Sequence, residues 1–90
     1  MAILVLEQTF EPPMTDEQLN AAARRLDKCL EQHGARWMRS YVSGDRRRMI
    51  CEFEAPDAEA VRESARSAGV SFDACWPASL FSRENPTDSY

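Results

Sequence analysis

Residues 36–54 read RWMRSYVSGDRRRMICEFE, and this stretch decides the fold. On either side of Ser43-Gly44-Asp45 the side chains alternate with the period of two that puts successive residues on opposite faces of a strand. Trp37, Arg39 and Tyr41 fall on one face of the first run, with Met38, Ser40 and Val42 on the other. In residues 48–54, Met49, Cys51 and Phe53 share one face, while Ile50, Glu52 and Glu54 share the other. Gly44-Asp45 reads as a tight turn, although the favoured hairpin order is Asp-Gly. The two runs form a β-hairpin, and the basic run Arg46-Arg47-Arg48 reads as its solvated end.

Upstream of the hairpin, residues 2–10 are a strand rich in Ile, Leu and Val, stopped by Pro12 and Pro13. Thr15 stands three residues before Gln18, the spacing of a capping box, and Asp16 and Glu17 suit a helix first turn. Leu19, Ala23, Leu26 and Leu30 then recur at helical spacing until Gly34. Downstream, Asp57 caps a second helix whose buried stripe is Ala58, Val61, Ala65 and Ala68, ended by Gly69. Residues 72–80 read as a fourth strand, and Pro77 within it calls for an edge position or a bulge.

The element order is β-α-β-β-α-β. It predicts an α+β, ferredoxin-like domain over residues 1–80: a four-stranded antiparallel sheet with two helices on one face. Residues 81–90 read as a polar C-terminal tail, pinned if at all by Phe81 or Tyr90.

Ninety residues are enough for one domain. A chain of this size gains stability when a second copy covers an exposed sheet, so a homodimer is expected. A formal charge of -4 and a pI near 4.9 argue against general binding to nucleic acid or anionic membranes. No stretch has the length of a membrane span, and the short apolar run at residues 3–6 lacks the basic lead of a signal peptide. The three cysteines form no CxxC pair and cannot all be bridged internally, which fits a reduced, cytoplasmic setting.

The sheet face turned away from the helices is the place to look for function. Alternation places Ile3, Val5, Glu7, Trp37, Arg39, Tyr41, Ile50 and Glu52 there, with Glu7 beside Glu52 once the first and third strands are central neighbours. So much aromatic and aliphatic area calls for a cover. Three readings are open: a satisfied Glu-Arg-Tyr network inside a dimer interface, a ligand pocket, or a carboxylate pair doing acid-base work. The ligand-binding candidates are Glu7, Trp37, Arg39, Tyr41 and Glu52. His33, the single histidine, reads as a capping residue at the end of the first helix. Cys51 reads as a core filler, and Cys75 is ambiguous between core and reactive thiol.

The stretches at 6–10, 37–42, 51–57 and 59–69, with their W-x-x-S-Y, E-A-P-D and R-x-x-A-x-x-x-G patterns, resemble a family of small bacterial ferredoxin-like proteins. Some of its members are known as nickel-binding proteins, and the likeness covers about residues 3–80. The resemblance implies a ferredoxin-like fold, dimerisation, and nickel binding in some members. Glu7, Trp37, Tyr41 and Glu52 match family positions. Some members carry histidine where this chain has Arg39 or Ser64, and imidazole is a donor nickel favours.

The function expected is a non-catalytic, dimeric protein that binds a small molecule or a divalent metal, nickel by resemblance. The alternative is a small cofactor-free enzyme of the dimeric α/β-barrel kind (isomerase, cyclase or monooxygenase) using Glu7 or Glu52 as acid or base.

Overall fold

The computed structural model describes residues 1–84 and 86. Tyr90, one of the two expected tail anchors, lies outside them. The elements run β1 (Ala2–Thr9), α1 (Asp16–Gln32), β2 (Arg36–Val42), β3 (Arg48–Ala55), α2 (Ala58–Ser67) and β4 (Ala74–Ala78). The four strands form one antiparallel sheet in the order β2-β3-β1-β4, with both helices on one face. This is the ferredoxin-like α+β arrangement.

Local chemistry explains the helix ends. The Thr15 hydroxyl accepts from the Gln18 backbone N–H at 3.1 Å, and the Gln18 side chain accepts from the Thr15 N–H at 2.9 Å. This reciprocal pair satisfies two donors that a helix start otherwise leaves unpaired. Asp57 caps α2 with a single bond, its carboxylate accepting from the Ala60 N–H at 2.9 Å. Gly34 and Gly69 end the helices in the left-handed region, each with φ of 70°.

Leu4, Leu6, Phe53, Leu30 and Val61 form the centre of the core and are almost completely buried. Burying each contributes about 1.5–3 kcal/mol relative to exposure. On α2 the contact face is Val61, Ser64 and Ala65; such small side chains let the helix lie close to the sheet. Ser64 is buried without an orphan group because its hydroxyl donates to the Ala60 carbonyl at 2.7 Å. Pro77 lies on β4, an edge strand, where its missing N–H costs no ladder bond to a further strand.

Two sequence expectations about the hairpin change. The connection is the loop 43–47 rather than a two-residue turn at Gly44-Asp45. Arg46 takes the left-handed conformation there (φ 63°), and the Ser43 hydroxyl accepts from the N–H groups of Arg47 and Arg48 at 3.2 and 2.9 Å. Side-chain oxygens thus satisfy the loop backbone in place of a short turn's own bond. The basic run is also tethered: Arg46 pairs with Asp16 at 2.9 Å, and Arg47 with Glu11 at 3.5 Å.

The second change is a β-bulge in β2. Trp37 pairs with Phe53 and Arg39 with Glu52, so Met38 is an extra residue without a partner on β3. The bulge moves Trp37 to the helix side of the sheet and Arg36 to the open side, where Arg39 and Tyr41 already stand. Strict alternation had put Trp37 with Arg39 and Tyr41; one inserted residue reverses the facing of everything before it.

Candidate functional site

The register fixes the open face row by row. Across the four strands the rows are Arg36–Glu54–Ile3–Ala78, Arg39–Glu52–Val5–Trp76 and Tyr41–Ile50–Glu7–Ala74. Four of the five expected residues, Glu7, Arg39, Tyr41 and Glu52, therefore come together on one surface. Trp37 does not join them. It walls a hollow on the opposite side, between α1 and the hairpin.

Glu7 and Glu52 are closer to diagonal neighbours than to a pair. Val5 lies directly opposite Glu52, and Ile50 opposite Glu7. Diagonal positions on an antiparallel pair are about 7–8 Å apart. Each carboxylate also has its own donor. Glu52 accepts from Arg39 at 2.8 Å, and Glu7 accepts from the Trp76 indole N–H at 2.7 Å. The two carboxylates are thus offset by two residues in the β1–β3 register. The Glu52 hydrogen bond, and after it the Glu52 charge, raises the Arg39 guanidinium further above its ordinary value. A second ion pair, Arg36 with Glu54, borders the face.

Between these charges runs an apolar band of Ile3, Val5, Ile50 and Trp76. Ile50 is 39% exposed, Trp76 43% and Tyr41 61%. Trp76 is the residue that reading the sequence missed. Its neighbour Cys75 points inward, so Trp76 must point outward; but which of the two faces the core depends on the pairing of β4 with β1.

Cys51 and Cys75 are buried, and burial pushes both thiols up, with the Ser40 hydroxyl opposing this at Cys51 and the Arg62 charge at Cys75. At Cys75 burial outweighs the Arg62 charge, the reverse of the setting that activates a thiol. His33 occupies the C-cap of α1, its Nδ1 2.9 Å from the Cys29 carbonyl oxygen.

The hollow that Trp37 borders has a volume of about 440 Å³. Leu19, Ala23 and Leu26 of α1 form its roof, and Ser40, Val42, Met49 and Cys51 its floor.

Sequence comparison decides the family. The model described as Nickel responsive protein SCO4226-like matches residues 5–77, which includes all four strands but for their outermost residues. The chain belongs to the SCO4226-like family of nickel responsive proteins. A solved structure agrees in fold: the crystal structure of SCO4226 from Streptomyces coelicolor A3(2) superposes with a TM-score of 0.82 at 20% identity. That match covers 90% of this chain and 100% of the other. Comparison with curated proteins gave no match.

The donors among the described residues do not fit a nickel centre. Among the described residues, no group of three or more His, Cys, Asp or Glu side chains is placed to hold a metal ion. The open face offers two carboxylates, Glu52 already bound to Arg39 and Glu7 to the Trp76 indole. Nickel favours imidazole nitrogen, and the single imidazole sits on the helix layer across the sheet. No helix among the described residues is long and apolar enough to cross a membrane.

Proposed function

We propose that this chain is a non-catalytic binding protein that works as a homodimer, two copies packing open face to open face around a small organic ligand. The observation that carries this reading is the apolar band of Val5, Ile50 and Trp76, bordered by the Arg36–Glu54 and Arg39–Glu52 ion pairs on the β2–β3 side and by Glu7 on β1. The β2 edge carries Arg36 and Arg39, each paired with a glutamate of β3, and the β1–β4 side carries Glu7 and the Trp76 indole. A two-fold axis parallel to the strands lays the arginine edge of one copy over the Trp76 edge of the other. Arginine over indole with a carboxylate beside it is favourable, and the band between buries its own counterpart.

The ligand of this reading lies where the packed sheets leave room around Arg39, Tyr41, Glu7 and Glu52. Arg39 suits an anionic group, and Glu7 or Glu52 suits a donor. A divalent metal is not part of the proposal, because the donor set lacks nitrogen ligands.

Light scattering on the eluting protein tests the assembly, with twice the 10.2 kDa chain mass expected. A screen of small carboxylates and amino acids by thermal shift tests the ligand, with hits that vanish in Arg39→Ala. A monomer at all concentrations tested overturns the assembly. Stabilisation by nickel but by no organic compound overturns the ligand class.

A further inference from the structure

We infer that the hollow between α1 and the β2–β3 hairpin is a second binding site, for a small aromatic ring bearing one hydroxyl group. It lies on the helix side of the sheet and does not depend on the open face.

The site exists because of two local features. Ala22 and Ala23 stand where α1 faces the hairpin, and side chains this short leave space beneath the helix that Leu26 and Leu30 fill further along. The bulge at Met38 then turns Trp37 into that space as a flat wall, opposite Leu19 and near Met49. The volume of about 440 Å³ falls within the range of small-molecule pockets. An indole wall with methionine beside it suits an aromatic ring.

Specificity comes from a line of polar groups on the floor. The Trp37 indole donates to the Ser40 hydroxyl at 2.9 Å, and Ser40 donates to the Cys51 sulfur at 2.9 Å. The Cys51 thiol in turn faces the Gln8 amide oxygen at 3.7 Å. Gln8 is held from behind, its amide nitrogen donating to the Ser71 carbonyl at 2.9 Å. Sulfur is a weak acceptor and a weak donor, so both links through Cys51 are poor ones. The hydroxyl of Ser40 and the amide oxygen of Gln8 are thus an underused donor and an underused acceptor on one wall. A ligand hydroxyl can accept from the first and donate to the second, replacing two weak sulfur contacts by oxygen-based bonds. A charged group is unsuited, since no free charge faces the floor: Arg46 at the mouth is already paired with Asp16.

The test uses the full chain and two probes, 4-ethylphenol and its methyl ether, followed by nitrogen–proton NMR. The protein has two indole N–H signals, Trp37 and Trp76, assigned with W76F. The expected result is saturable movement of the Trp37 indole and the Ser40 and Cys51 amides, with the Trp76 signal still. The methyl ether, which cannot donate to Gln8, is expected to bind roughly tenfold more weakly. Ala23→Leu, which fills the hollow, is expected to abolish the movement. Equal affinity for the two probes, shifts centred on Trp76, or unchanged binding in a folded Ala23→Leu variant overturns the inference. Should that variant not fold, the comparison of probes on the wild-type chain decides alone.

Discussion

Glu7 and Trp76, 69 residues apart in sequence, are joined by a 2.7 Å hydrogen bond from the indole N–H to the carboxylate across the β1–β4 pair. They are diagonal neighbours, because Trp76 lies opposite Val5 and Glu7 opposite Ala74. The indole is thereby held along the open face instead of swinging into solvent. An aromatic group fixed before binding loses less freedom when a partner covers it.

A double-mutant cycle measures that bond. Trp76→Phe and Glu7→Ala, singly and together, are expected to show a coupling of about 0.5–1 kcal/mol in urea unfolding, the modest value of a hydrogen bond at a half-exposed site. Additive effects sink the claim that the pair organises the face.

Ile50 tests the interface apart from the fold. It is 39% exposed in the single chain, so Ile50→Glu is expected to keep the circular dichroism spectrum and to cost the isolated chain about 1 kcal/mol, part of it repulsion from Glu7 directly opposite. In the packed assembly the introduced carboxylate would be buried without a partner. Size-exclusion chromatography should therefore show the variant as a monomer where the wild type is a dimer.

The hairpin loop predicts a pH dependence. The Ser43 hydroxyl, followed by the Arg47 N–H, holds the Asp45 carboxyl below its ordinary value of 3.8. Hydrogen bonds from Arg66 do the same for Glu59, whose ordinary value is 4.5. With folded values below the unfolded ones, their stabilisation is fully present above the ordinary values. It is lost as the pH falls through the lowered ones. Melting temperature should drop below pH 4.5, and Asp45→Asn should flatten part of that drop. An unchanged slope in the variant counts against the loop assignment.

Core and cap substitutions should separate by size. Phe53→Ala empties the centre of the core and is expected to cost about 3–5 kcal/mol. Thr15→Ala removes one side of a capping box on an exposed turn and is expected to cost about 1 kcal/mol. Denaturant midpoints with unchanged slopes would check both.

Thiol accessibility orders the three cysteines. Cys29 is half-buried, whereas Cys51 and Cys75 are 3% and 8% exposed with thiols pushed up by burial. Iodoacetamide followed by mass spectrometry should modify Cys29 first, the other two waiting on local opening. Prompt labelling of Cys75 would contradict its inward placement.

The helices and their ends were legible because their signals are local. Thr15 with Gln18, Asp57 with Ala60, Gly34 and Gly69 each act within one turn of chain, so spacing alone predicts them. Alternation in β1 and β3 was legible too, since an uninterrupted strand leaves its apolar face no choice of side. From these signals follow the element order, the two-layer fold, and the presence of Glu7, Arg39, Tyr41 and Glu52 on one sheet face.

What only the tertiary structure decided depends on pairing between distant strands. The bulge at Met38 sends Trp37 to the helix side, and nothing in the residues around it states that β3 offers one partner fewer. The register of β1 on β3 puts Val5, not Glu7, opposite Glu52. The pairing of β4 on β1 brings Trp76 to Glu7. In each case the side chain's facing follows from a backbone ladder to a remote strand, where one residue of slip reverses every direction. The sequence by itself named the face; the ladder chose which aromatic residue stands on it.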